Sequence, residues 1–310
     1  MKRLQNRIAE SGLVLPVMTA YGLATWFAAG LLTHHWWPQL VCFAISVYMM
    51  VEMNNAFSLL RVRSRMTSST FIALTCTVSF LFGSLSGALV QLFTIASLLF
   101  LLSTYQSAQS LGRIFYAFLL QGLVSLLWPH ILLLVPLQWL LMVTQLQSLS
   151  WRGLLASLIG LLTPYWFISV WFIYQRDFTP LADHFRSLAT ITPLPEAYST
   201  ISVGHILAFA LTAGLTLTGI VHFWRNSIDE KIRTRLLYGL FTCMSAVCLI
   251  LTALQPQHFD PLMRIAVIFA SPLVAHFLTL TSSRITNIAF FVIIVLTLAV
   301  TIFNAVGVNF

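Results

Sequence analysis

The chain has 310 residues, 59% of them hydrophobic and 8% charged, and its mean hydropathy is +0.90. A soluble domain carries about 25% charged residues, so a single water-soluble enzyme domain is excluded and an integral membrane protein is indicated. Lys plus Arg is 16 and Asp plus Glu is 8. In a chain this apolar, that excess belongs to inside-facing loops held against an anionic leaflet rather than to a nucleic-acid surface.

Lys2, Arg3 and Arg7 make a basic start, and an apolar run follows from Leu13 to Leu32. A run of about 20 residues spans a bilayer, whereas the core of a signal peptide is shorter; an uncleaved first span is expected. Eleven helices then read along the chain, roughly 13–32, 39–60, 70–82, 88–104, 113–127, 130–146, 154–175, 203–224, 236–254, 264–280 and 287–308. The third and fourth come from one apolar stretch, which Gly83-Ser84-Leu85-Ser86-Gly87 breaks with a turn. The alternation of a membrane barrel is absent, so the fold class is all-α: a polytopic helix bundle of about eleven spans.

With the N-terminus inside, 13 of the 16 basic residues fall on inside segments, leaving only Arg176, Arg186 and Arg264 outside. This bias orients the alternation and places the C-terminus outside. One transmembrane domain over 1–310 is expected. Trp37-Pro38 and Trp128-Pro129 lie 91 residues apart, as do Arg61 and Arg152. That spacing suggests a parallel repeat of helices 1–4 (13–104) and 5–8 (113–224); the plainer reading is that Trp-Pro suits any outer interface.

Glu52 is the most informative residue. It lies nine positions before Arg61, about 13 Å along a helix at 1.5 Å per residue, and a charge at such depth costs at least ~2.5 kcal/mol. Tyr48, Glu52 and Asn55 share its face, with Asn54 adjacent. The face is expected to look at other helices or water. It reads as a proton-relay or cation site, or as a protonated glutamate joining helices by hydrogen bonds. His276 lies eight residues before Arg284, at matching depth, and is a candidate partner for Glu52 in proton transfer. Pro272, four residues before it, cannot donate to the carbonyl of Ile268.

The segment 176–202 is expected to be an outer loop. It carries Asp177, Asp183, His184, Arg186 and Glu196, with Thr179-Pro180 opening a short interfacial helix. Asp177, Asp183 and Glu196 are the catalytic candidates for phosphosugar chemistry; a solvated loop is the plainer reading. His34, His35, His130, His258 and Asp260 also fall outside. No metal-ligand spacing occurs, and neither does a phosphate-binding loop or dinucleotide fingerprint, so no metal or cofactor is assigned. The inner run Arg225–Arg235, with Asp229 and Glu230, reads as an orientation signal. Gln121 with Ser125, and Tyr165 with Ser169, read as interhelical hydrogen-bonding faces. Cys42, Cys76, Cys243 and Cys248 lie in apolar runs and read as packing residues.

Asn55, Arg61-Val62-Arg63-Ser64-Arg65, Trp151-Arg152-Gly153-Leu154 and Gly160-Leu161-Leu162-Thr163-Pro164-Tyr165 resemble an uncharacterised family of multi-pass inner-membrane proteins from the Bacteroidetes, over roughly residues 50–175. That family has no assigned activity. The layout is also similar to polyprenyl-phosphosugar-dependent membrane glycosyltransferases, which keep an acid in the first outer loop; Thr33-His34-His35-Trp36-Trp37-Pro38 has none. The resemblance implies a multi-pass protein of the bacterial inner membrane. A scaffold or assembly subunit stands first among its roles. A glycosyltransferase-like enzyme acting at the outer face, and a proton-coupled transporter or flippase using Glu52, are the alternatives. The expected partners are membrane lipids, other envelope proteins and a polyprenyl-phosphate lipid, with no nucleic acid.

Overall fold

In the computed structural model, which describes residues 4–189, 197–199, 201–281 and 283–307, every regular element among the described residues is helical. The main helices are α1 (Leu4–Glu10), α2 (Val14–Ala28), α3 (Trp37–Phe57), α4 (Met66–Thr77), α5 (Leu85–Leu102), α6 (Leu111–Leu127), α7 (Val135–Thr144), α8 (Trp151–Gln175), α9 (Thr179–Arg186), α10 (Val203–Asn226), α11 (Ile232–Leu254), α12 (Phe259–Leu280) and α13 (Arg284–Gly307). Their ends follow local chemistry. Proline opens α3, α7 and α9, where a missing N–H costs nothing. Ser150 caps α8 by accepting from the Gly153 amide at 3.1 Å.

All eleven apolar segments therefore form helices, but eleven crossings are not supported. Among the described residues, seven helices are long and apolar enough to cross a membrane: α3, α5, α8, α10, α11, α12 and α13. An eighth arises if α1 and α2, bent by 85° at their junction, are taken as one span. The 12 residues of α4 reach only about 18 Å at 1.5 Å per residue, against a hydrocarbon core of ~30 Å. α7 is shorter still, at 10 residues. Seven or eight crossings do not carry the eleven-fold alternation on which the inside and outside placement of the termini rested.

The chain divides into two compact units, one of Met1–Ala88 with Ala197–Phe310 and the other of Leu89–Glu196. Their boundaries do not coincide with the halves of the suggested repeat.

The first unit is built around α12, whose apolar window is 94% buried. α4, α10 and α11 pack against it, and α1 lies across its end. α4 is buried along almost its whole length although half of it is Ser or Thr. Small hydroxyl side chains permit close approach, and four of the six turn their polar atoms back onto the helix. Ser68 and Ser69 donate to the Arg65 carbonyl at 2.9 and 3.0 Å, and Thr70 donates to the Met66 carbonyl at 2.9 Å. Thr70 also reaches the Ser271 carbonyl on α12 at 2.9 Å. At Gly219 of α10, a Cβ would stand 2.8 Å from the backbone of Leu273 on α12, so only glycine lets these two helices touch.

The second unit rests on the pairing of α6 with α8. Gly122 and Gly160 make it possible. A Cβ on Gly160 would meet the Phe115 carbonyl at 2.6 Å, and one on Gly122 the Leu161 carbonyl at 2.7 Å. Polar rungs hold the same crossing. Ser125 and Tyr165, expected to bond between helices, meet each other at 2.8 Å.

Close backbone approach should make Gly160→Val costly. Overpacking by a branched side chain is expected to remove about 1–3 kcal/mol of stability, read as a lowered melting temperature in detergent. Gly214, on α10 with nothing within 4 Å of a Cβ, gives the contrast: Gly214→Ala should stabilise by roughly 0.5–1 kcal/mol.

Candidate functional site

The polar centre of the first unit is a carboxylate that the sequence hides inside a charge run. Glu230, between α10 and α11, has a side chain 1% exposed, while its neighbour Asp229 lies open. Two partners hold it. The Arg61 guanidinium, in the linker after α3, donates to Oε1 at 2.8 Å, and His276 Nε2 of α12 stands 3.2 Å from the same oxygen. The ring continues the chain inward: His276 Nδ1 lies 3.3 Å from His222 Nδ1 on α10. His222 Nε2 is 2.8 Å from the Asn226 amide nitrogen, one turn further along.

This order admits one tautomer for each ring with both imidazoles neutral. Asn226 donates to His222 Nε2; His222 Nδ1–H donates to His276 Nδ1; His276 Nε2–H donates to Glu230. No link is left with two donors or two acceptors. The Asn226 NH2 group only donates, so a moving proton can reverse the His222–His276 and His276–Glu230 links alone, and the relay runs between His222 and Glu230.

Packing fixes the rings. Gly219 and Leu273 are one turn before His222 and His276 on the same two helices, so the glycine contact brings the imidazoles together. Tyr238 of α11 is fully buried; its ring stacks on Phe223 at 4.6 Å and meets the His276 ring edge-on at 5.0 Å. The Tyr238 hydroxyl donates to the Pro272 carbonyl at 3.3 Å. Burial raises the Glu230 carboxyl above its ordinary value, and the Arg61 charge offsets part of that rise.

Glu230 and Arg61 also form part of the wall of a cavity of about 1120 Å³ at the arginine-rich end of the unit. Arg63, Arg65, Lys231 and Arg233 line it as well, with Glu10 as the second acid. Arg61 is 44% exposed, so the ion pair reaches from the buried interior to open space.

The structure rearranges the residues singled out from sequence. His276 is fully buried in a polar network, where its carboxylate partner is Glu230 and not Glu52. Glu52 is only half-buried and makes no hydrogen bond or ion pair among the described residues. Its face does not turn toward neighbouring helices: Tyr48 is 64% exposed and Asn55 is exposed, because α3 buries Ser46, Met50, Met53 and Phe57 instead. Asn55 lines the cavity. Adjacent Asn54 is the residue that makes contacts, donating to the Ser64 carbonyl at 2.9 Å.

Asp177 and Asp183 both lie on the exposed surface of the second unit. Asp177 is exposed and accepts from the Thr179 amide and hydroxyl, bonds that hold its carboxyl below the ordinary value. Asp183 is exposed and pairs with Arg186 at 2.9 Å. α9 forms where a short helix was expected, and none of its residues is buried. Glu196 lies outside the described residues. No group of three His, Cys, Asp or Glu side chains is placed to hold a metal ion among the described residues.

Arg61, His222, Asn226 and Glu230 are the site residues that sequence reasoning missed. Two signals pointed to them. The bias of basic residues put Arg61 and the 225–235 run on the same side, and His222 with Asn226 share a helix face at i, i+4. Comparison of the chain with protein-family models, curated proteins and solved structures finds no match.

The raised Glu230 value sets a pH dependence. In the window above about pH 4.3, the ordinary glutamate value, the folded protein keeps a proton that the unfolded chain has lost. Stability should therefore fall as pH rises through that window. Glu230→Gln, which cannot ionise, should remove this slope from melting temperatures measured across the acidic range.

Proposed function

We propose that this multi-pass membrane protein is a proton-coupled transport protein of the bacterial inner membrane, with the Glu230–His276 pair as its coupling group. The observation that carries this reading is the chain of titratable groups Glu230, His276 and His222, buried at Glu230 and His276 and tied through Arg61 to a polar cavity. Ionisable residues buried among apolar helices are costly to keep and mark proton relays. The resemblance to inner-membrane proteins of the Bacteroidetes supports the same cellular setting.

The assembly-subunit reading has less behind it, since a scaffold has no use for a continuous relay beside a cavity. The glycosyltransferase reading rests on Asp177, Asp183 and Glu196. The first two cap and pair within their own exposed segment.

The test is proton entry into vesicles of bacterial polar lipid that carry the full chain and an internal pH dye. An imposed potential supplies the drive. Wild type should acidify the lumen faster than empty vesicles. Glu230→Gln and His276→Gln should each slow it at least about tenfold, the factor one pKa unit of interaction represents. Glu52→Gln should leave the rate unchanged. Equal rates for wild type and Glu230→Gln, or wild-type rates matching empty vesicles, would overturn the proposal, and the second would restore the assembly-subunit reading.

A further inference from the structure

A second cavity adjoins the first. It has a volume of about 460 Å³ and an almost wholly apolar lining that includes Val17 and Tyr21 of α2, Ala73 of α4, and Phe290, Ile294 and Leu298 of α13. The two meet at the elbow between α1 and α2. Ser11 lines both; Gly12 faces the basic cavity and Leu13 the apolar one; Arg65 faces the first and Met66 the second. The tyrosine hydroxyl at position 21 is bonded to Thr301 at 2.6 Å, so the far end of the groove presents a satisfied polar group rather than an open one. From Val14 to Tyr21 the groove runs about 10 Å along α2 at 1.5 Å per residue.

A ligand that fits both spaces at once is charged at one end and oily at the other. The wall of the larger cavity carries five cations, Arg61, Arg63, Arg65, Lys231 and Arg233, against two acids, Glu10 and Glu230. One acid is already bonded to Arg61. No carboxylate pairs with the side chains of Arg63, Arg65 or Lys231 among the described residues. An arginine fork suits the oxygens of a phosphate. We infer that the joined cavities bind a net-negative phosphate lipid, with the phosphate among Arg63, Arg65 and Lys231 and one hydrocarbon chain in the groove between α2 and α13. This deepens the transport reading by naming the class of molecule at the mouth of the relay, and rests on it for that role; the binding itself is measurable without any gradient.

Binding is tested at fixed pH on the full chain in mild detergent, washed with phosphatidylcholine. The probes are phosphatidic acid, undecaprenyl phosphate and inorganic phosphate, with retained lipid counted by mass spectrometry. Wild type should keep one anionic lipid per chain through the wash. The Arg63→Gln/Arg65→Gln variant should bind about 30-fold more weakly and Lys231→Gln about fivefold more weakly. The lysine change alters one exposed side chain, so it reports even if the double variant aggregates. Val17→Trp, which fills the groove from an exposed position, should also abolish retention. Preference for either lipid supports the site and names its chain type. Displacement by inorganic phosphate together with indifference to Val17→Trp would show a free-anion site and overturn the inference. Retention unaffected by Lys231→Gln and Val17→Trp would overturn it as well. Loss of lipid binding with proton entry intact would fail this inference alone, and the reverse would fail the relay alone.

Discussion

Burying the Glu230 carboxylate is the constraint on which the arginine-rich end of the first unit depends. A carboxylate at 1% exposure without partners would cost several kcal/mol or stay protonated. Its partners come from distant parts of the sequence: Arg61 from the linker after α3 and His276 from the last third of α12. Satisfying that one group therefore ties the linker after α3 and the end of α12 to the segment between α10 and α11. The glycine contact at Gly219 sets the spacing that lets His222 continue the chain. An apolar α10 with a larger residue at 219 would hold the imidazoles apart and leave His276 with one satisfied nitrogen.

The rest of the packing follows from the shortage of polar surface. With so few charges available, the helices are held by small residues and by hydroxyls that bond to their own backbone. α4 shows this most clearly: it is Ser/Thr-rich yet almost entirely buried, and four of its six hydroxyls close onto carbonyls one turn earlier. α6 and α8 use glycine for the same end. Both devices bring backbones close enough for dispersion to act over many atoms, which is how helices associate where apolar burial gives no advantage over lipid.

The helices were legible in the sequence because apolar runs and their breakers are local signals. Gly83–Gly87, Trp37-Pro38 and Thr179-Pro180 each mark an element boundary that the structure keeps within a few residues. The number of crossings was not legible, because an apolar run reports burial without saying whether lipid or protein does the burying. α4 is apolar enough to suggest a span but is surrounded by other helices. The site was half legible for a related reason. Glu52 stood out by its depth along a helix, yet depth says nothing of which way a side chain faces. Glu230 was hidden because its immediate neighbour, Asp229, is a true surface charge, and composition alone treats the pair alike. His276 was recognised as polar and deep, but its partner depended on lateral adjacency, which a single sequence does not contain.

Arg61 belongs to both halves of the site, and that double membership ties them together. It neutralises Glu230 from one side and faces the basic cavity on the other. An anion in the cavity competes with Glu230 for the Arg61 charge. As the guanidinium turns toward the anion, the carboxylate loses its main stabilising partner and holds its proton more tightly. Linkage makes this reciprocal: whatever factor the anion adds to the proton affinity of Glu230, the proton adds to the affinity for the anion. A proton arriving from His276 would then bind together with an anionic headgroup and leave together with it. That is the thermodynamic requirement for coupling the two, and it needs only one shared arginine.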